Sequence, residues 1–148
     1  MLNIGYEKAH PDAIAPTKAH YTDAGFDLYC MDSVTLYPGQ IVKVDTGIVT
    51  AIPNGYFGMI CDRSGHGSKG VKVFGGIIDP EYRGRIMVCL GLLAKEGSVF
   101  FDPGSKIAQL IIMPRYEGSL VSMEGLSKES TSRGDKGFGS SDAKPQGA

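Results

Sequence analysis

Five stretches of the chain carry residue types that could hold and cut a phosphate-bearing molecule. RGDKGFGSS, residues 133–141, combines a guanidinium, several glycines, two hydroxyls and one aromatic ring. Those are the parts of a triphosphate clamp: a charged fork and hydroxyls for a terminal phosphate, main-chain N–H groups freed by glycine, and a flat cover for a base. The same composition also suits a solvated chain end. CDRSGHGSKG, residues 61–70, places Arg63 and Ser64 before a glycine cluster and Lys69, a composition that cradles phosphate or forms a solvated loop.

In GGIIDPEYRGR, residues 75–85, Asp79 ends an apolar strand and Tyr82 follows a turn. This is ordinary hairpin chemistry, or else exposed main chain that holds a base, with a carboxylate and a ring aimed at a sugar. In DAGFDLY, turn chemistry accounts for Asp23 and Gly25, whereas Asp27 between Phe26 and Leu28 points away from the core or into a site. PGSKIAQLI buries Gln109 in an apolar strand. An unpaired amide there costs about 1–3 kcal/mol, so it requires a partner in protein or ligand.

The elements that must position these groups read as β-strands. Short runs rich in branched and aromatic residues recur: LNIGY, FDLYC, SVTLY, IVKVDTGIVTAI, GYFGMIC, VKVFGGIID, RIMVCLGLL, SVFF and KIAQLIIMP. Turn makers separate them, at Pro38-Gly39, Pro53-Asn54-Gly55, Asp79-Pro80 and Asp102-Pro103-Gly104. VKVD alternates like a strand with one wet face, while IMVCLGLL and IAQLIIM are nearly continuous and predict burial on both sides. Twenty-one glycines oppose long helices, and one short helical turn is expected near residues 63–69. The pattern predicts an all-β sandwich, barrel or jelly roll of one domain, residues 1–127, with a low-complexity tail, residues 128–148.

With 148 residues, 42% of them apolar, the chain can build a substantial core. A net charge of −1 supplies no overall field for nucleic acid or anionic membrane, so any anion site must be local. Cys30, Cys61 and Cys89 are expected as buried core thiols in a reducing compartment, and His10, His20 and His66 lack ligand spacing. No secretory leader or long apolar span is visible, which predicts a soluble intracellular protein, cytoplasmic, or in the nucleus or host cytoplasm of a eukaryotic or viral source.

Taken in order, AGFDL, PNGYFGMICDRSG, GGIIDPEYRG, GSKIAQLI and RGDKGFGSS resemble the five motifs of the trimeric dUTPase family, over nearly the whole domain. The resemblance implies a distorted jelly roll (β-clip) that assembles as a homotrimer with active sites shared between chains and a flexible tail that closes over nucleotide. It implies hydrolysis of dUTP to dUMP and pyrophosphate, dUMP being supplied for thymidylate synthesis, without nucleic-acid or membrane partners. Asp79 matches the carboxylate that activates water, and Tyr82 the ring beneath the deoxyribose. The main chain at Gly76, Ile77 and Ile78 matches the hairpin that reads uracil. Arg63, Ser64, Gly65 and Gln109 match phosphate contacts. In the tail, Arg133, Ser140 and Ser141 match the grip on the γ-phosphate, and Phe138 beside Gly139 the ring over uracil. Asp27 matches a residue that supports Mg²⁺ through water, with no direct protein ligand, the ion being held by substrate phosphates.

Four positions depart from the family pattern: His66-Gly67 stands for Leu-Ala, Ser105-Lys106 for Asp-Arg, Leu92 for Asn and Asp142 for Gly. The first predicts a looser helix and a shifted phosphate loop; the second predicts altered surface or subunit contacts more than altered chemistry. Other readings are a dCTP deaminase relative, a dUTP-sensing binding protein of the same fold, and a purely structural jelly roll. Only the last leaves Asp79, Gln109 and the Phe138 tail without a role.

Overall fold

The computed structural model describes residues 3–135. These residues form strands β1 (Gly5–Lys8), β2 (Gly25–Tyr29), β3 (Val34–Leu36), β4 (Ile41–Asp45), β5 (Ile48–Ala51) and β6 (Tyr56–Cys61). After one helical turn, α1 (Ser64–Gly67), come β7 (Val71–Phe74), β8 (Ile77–Ile78), β9 (Met87–Leu92), β10 (Val99–Phe101) and β11 (Lys106–Pro114). The all-β expectation holds, and so does the short helix near Arg63. The chain divides into two compact units, Met1–Glu117 with all of these elements and Gly118–Ala148 with the 3-10 turn Leu126–Lys128. No helix among the described residues is long and apolar enough to cross a membrane.

Four antiparallel sheets enclose one core: β2-β11-β6-β8, β4-β9-β7, and the ribbons β1-β5 and β3-β10. Alternation decides which side chains enter it. Leu28 of β2, Ile60 of β6 and Leu110 of β11 meet Val44, Val88 and Leu90 of the second sheet, with Leu36, Ile48 and Phe101 from the ribbons, in a single buried cluster. Burying a Leu or Ile of this kind contributes roughly 1.5–3 kcal/mol.

Several local expectations are corrected. β1 sits at Gly5–Lys8 rather than over the apolar Leu2–Tyr6 run; its residues are exposed, and pairing with β5 rather than burial makes it a strand. In β9, Met87 is exposed and Cys89 half-buried, so two-sided burial is confined to its last residues. In β11 it is confined to the start, because Met113 and Pro114 reach solvent. Cys30 is a core thiol, but Cys61 and Cys89 are half-buried, since each is out of phase with the inward residues of its strand.

Candidate active site

Asp27 of β2, Gln109 of β11 and Cys61 of β6 lie directly opposite one another in register. Directly paired residues share a face, so the alternation that sends Leu28 and Ile60 inward puts this row on the outer face. A cleft of about 350 Å³ opens there, lined by Asp23, Gly25, Asp27, Arg63, Ser64, Gly65, Lys106 and Gln109, with Ala19 and Ala24. Asp27 is its electrostatic centre. Arg63 Nε donates to Oδ1 at 2.9 Å, and Lys106 Nζ lies 2.6 Å from Oδ2. Hydrogen bonding to Asp27 raises the Lys106 ammonium above its ordinary value, so it is charged at neutral pH.

Three local devices hold this cleft. A register shift between Lys106 and Ala108 inserts one extra residue in β11. Strict alternation would put Lys106 and Gln109 on opposite faces; the bulge returns Lys106 to the face of Asp27 and buries both Ile107 and Ala108. Asp62, which directly precedes Arg63, accepts from the main-chain N–H of Val73 and from Lys72 Nζ, each at 2.6 Å. Its main-chain carbonyl accepts from Gln109 Nε2 at 2.8 Å, so the amide expected to be buried is instead half-buried on the outer face, with a partner in the protein. Finally, a Cβ on Gly25 would stand 2.5 Å from Gln109 Oε1 and 3.0 Å from its Cβ, so glycine is needed for the amide to lie across β2.

His66 is built in rather than loosening. Its Nε2–H donates to the carbonyl of Lys106 at 2.8 Å, and its ring meets Phe101 edge-on with centroids 5.0 Å apart. A carbonyl only accepts, so the imidazole proton sits on Nε2, and Arg63 Nη1 at 3.5 Å faces another donor rather than forming a bond with it. The α1 turn forms with Arg63 as its extended N-cap. Gly65 faces open space, where a Cβ would meet nothing within 4 Å.

A second cleft, of about 540 Å³, is lined by Asn54, Asp79, Pro80, Glu81, Tyr82 and Arg115. Among the described residues β8 is the edge of its sheet, paired only with β6, and one side of its main chain has no strand partner. Gly76 has φ 93°, and a Cβ there would stand 2.8 Å from the Ile60 carbonyl; the Ile60 N–H donates to the Gly76 carbonyl at 2.7 Å. A turn closed by the Tyr82 N–H on the Asp79 carbonyl (3.1 Å) follows. The Tyr82 hydroxyl donates to the Arg85 carbonyl at 3.1 Å, laying the ring over Gly84 where no Cβ could fit. The carboxylate of Asp79 is exposed and has no partner among the described residues.

The structure thus gathers Asp27, Arg63, Ser64, Gly65 and Gln109 in one cleft and Asp79 and Tyr82 in another. Ile77 is exposed and Ile78 buried; neither lines these two clefts, and Ile77 faces a separate hollow with Gly75, Cys61 and Asp62. β2 and β8 are opposite edges of the four-stranded sheet, three strand spacings or about 14 Å apart, and the clefts share no lining residue. Arg133 lies in the second unit and is engaged in an interaction of its own; Phe138, Gly139, Ser140, Ser141 and Asp142 fall outside the described residues. Sequence reasoning missed Asp62 and Lys106, as well as Asn54 and Arg115 in the second cleft. Lys106, one of the pair that replaces Asp-Arg, is brought by the bulge to Asp27 in the cleft. Among the described residues no group of three or more His, Cys, Asp or Glu side chains could hold a metal directly.

The family model described as dUTPase matches residues 11–142. The chain is 39% identical over 145 residues to the deoxyuridine 5'-triphosphate nucleotidohydrolase of Mycolicibacterium gilvum, covering 94% of each chain. It is 39% identical over 139 residues to the vaccinia virus protein of the same name, covering 93% of this chain and 91% of that one. Among solved structures, a variant of the Staphylococcus bacteriophage 80alpha dUTPase, solved with dUpNHpp, aligns with a TM-score of 0.84 at 28% identity, covering 95% of this chain and 99% of that one. A variant dUTPase from phage phi11 of S. aureus, described with a structural Mg(II) ion, aligns with a TM-score of 0.78 at 25% identity over 85% of this chain and 99% of that one. With a match that takes in both clefts and nearly the whole of each relative, the chain belongs to the dUTPase family.

Proposed function

We infer that the chain hydrolyses dUTP to dUMP and pyrophosphate, and that each active site is assembled from the phosphate cleft of one chain and the hairpin cleft of another in a homotrimer. Family membership carries the reaction. One observation carries the division of labour: each cleft is chemically incomplete. In the first, both oxygens of the central carboxylate, Asp27, are engaged, one by Arg63 and the other by Lys106. In the second, a partner-free carboxylate and a ring stand beside an unpaired strand edge.

The uracil edge pairs with the main chain of Gly76–Ile78, where cytosine would leave polar groups unmatched. Tyr82 packs against the deoxyribose and leaves no room for a 2′-hydroxyl. Arg63, Ser64, Gly65 and Gln109 hold the phosphates, and Arg133, Phe138, Gly139, Ser140 and Ser141 close over them. Asp79 takes a proton from water as it attacks the α-phosphorus in line. The bond to the β-phosphate oxygen breaks, pyrophosphate leaves and dUMP remains, with no covalent enzyme intermediate. Positioning and electrostatics do most of this work, and the general base contributes about 10²–10⁴-fold.

The donor set suits Mg²⁺ held by substrate phosphates. Each Asp27 oxygen accepts from one cation and keeps a lone pair for a water of a hydrated ion. When bound, Mg²⁺ offsets phosphate charge; Asp27 supports it through water. The test is subunit mixing. Asp79→Asn and Arg63→Gln variants, each inactive alone, regain activity when refolded together, because some sites then combine an intact Asp79 from one chain with an intact Arg63 from another. Mixtures that stay as inactive as their components would refute shared sites.

A further inference from the structure

Lys106 belongs to neither the expected site nor the core, yet three features converge on it. The β11 bulge re-aims it into the phosphate cleft. Its main-chain carbonyl is held by His66 Nε2 at 2.8 Å, and its ammonium by Asp27 Oδ2 at 2.6 Å. An ammonium has three donors. The Asp27 contact uses one of them, on a side chain that is 35% exposed at the cleft.

Charge shows what that placement does. The formally charged residues that line the cleft are Asp23, Asp27, Arg63 and Lys106. With Lys106 the cleft is formally neutral; without it the lining is net negative and would repel the anion it is to receive. Among the described residues the Asp23 carboxylate has no cation paired with it and accepts from the main-chain N–H of His20 at 2.9 Å. Arg63 commits its Nε to Asp27, leaving its terminal nitrogens for one phosphate, and Lys106 stands on the other oxygen of the same carboxylate.

We propose that Lys106 is a direct phosphate-binding residue of this cleft, with Asp27 as the counter-ion that parks it beside Arg63 and His66 as the positioning residue that fixes its main chain at the bulge. The assignment rests on the dUTPase reading and adds a contact to it. The ammonium serves the β,γ end of the substrate, as a point charge rather than a fork.

Titration calorimetry of dUpNHpp and of dUMP against wild type, Lys106→Met and Lys106→Arg tests it, with circular dichroism as the folding control. A lost charge-assisted contact predicts about ten- to hundredfold weaker dUpNHpp binding by Lys106→Met, with dUMP affinity little changed. Lys106→Arg retains most of the triphosphate affinity. If the Met variant does not fold, Lys106→Gln, which keeps a donor toward Asp27, carries the same comparison. His66→Leu, which keeps the apolar packing on Phe101, gives a smaller loss of the same triphosphate-selective kind. Unchanged dUpNHpp affinity, or equal losses for both ligands, would overturn the proposal. Wild-type protein that bound neither ligand would overturn the nucleotide reading, and this assignment with it.

Discussion

Replacing Asp62 removes the knot that ties the phosphate-loop strand to its neighbours, and the cost can be worked from the contacts. In Asp62→Ala the main-chain N–H of Val73, a residue only 9% exposed, loses a carboxylate acceptor at 2.6 Å. Hydrogen bonds to charged groups are worth about 1.5–3 kcal/mol. The Lys72 pair, with side chains 50% and 24% exposed, adds no more than about 1 kcal/mol after solvent screening. A total of about 3 kcal/mol lowers Tm by about 6–12 °C for a chain of this size. Asp62→Asn keeps an oxygen for Val73 and loses only charge, so its cost is about 1 kcal/mol and 2–4 °C. Calorimetric unfolding at one fixed protein concentration separates the two. Because Arg63 and Ser64 follow directly, Asp62→Ala should also raise KM for dUTP more than it lowers kcat. Equal Tm values for the two variants, or a wild-type KM for Asp62→Ala, would refute the reasoning.

Gly25→Ala places a methyl 2.5 Å from Gln109 Oε1, so the amide must leave Asp62. KM should rise about three- to tenfold, the equivalent of one hydrogen bond, and a double variant with Gln109→Ala should be no worse than Gln109→Ala alone. Burial raises the Cys30 thiol above its ordinary value of 9.0. The unfolded chain therefore ionises first, and the stability this thiol supports is intact below pH 9.0 and lost above it. Wild-type Tm should fall faster above about pH 9 than that of Cys30→Ala, and parallel profiles would count against it. Removing residues from Arg133 onward should abolish turnover while leaving the Tm of the strand-bearing unit close to wild type; a truncated protein with normal turnover would count against the clamp.

What was legible in the sequence follows from periodicity. The alternation of Phe26, Asp27 and Leu28 placed the carboxylate outside the core, and a lone amide among apolar residues announced that Gln109 needed a partner; the partner is the Asp62 carbonyl. Lys106 could not be read in the same way, because one extra residue in β11 inverts the parity on which the reading depends. Asp62 carries no sequence signal of its role, since its partners, Val73 and Lys72, come from a strand that only the tertiary fold brings alongside. β1 is a strand by pairing alone, so its apolar content misplaced it. His66 read as a loosening substitution; the structure uses its ring and its N–H together, as no Leu could.

The most direct measurement is release of pyrophosphate from dUTP, dCTP, dTTP and UTP side by side, each with and without Mg²⁺. Rapid release from dUTP alone, fastest with Mg²⁺, is the expected result. Intact dUTP under saturating Mg²⁺, or UTP consumed as fast as dUTP, would contradict the account.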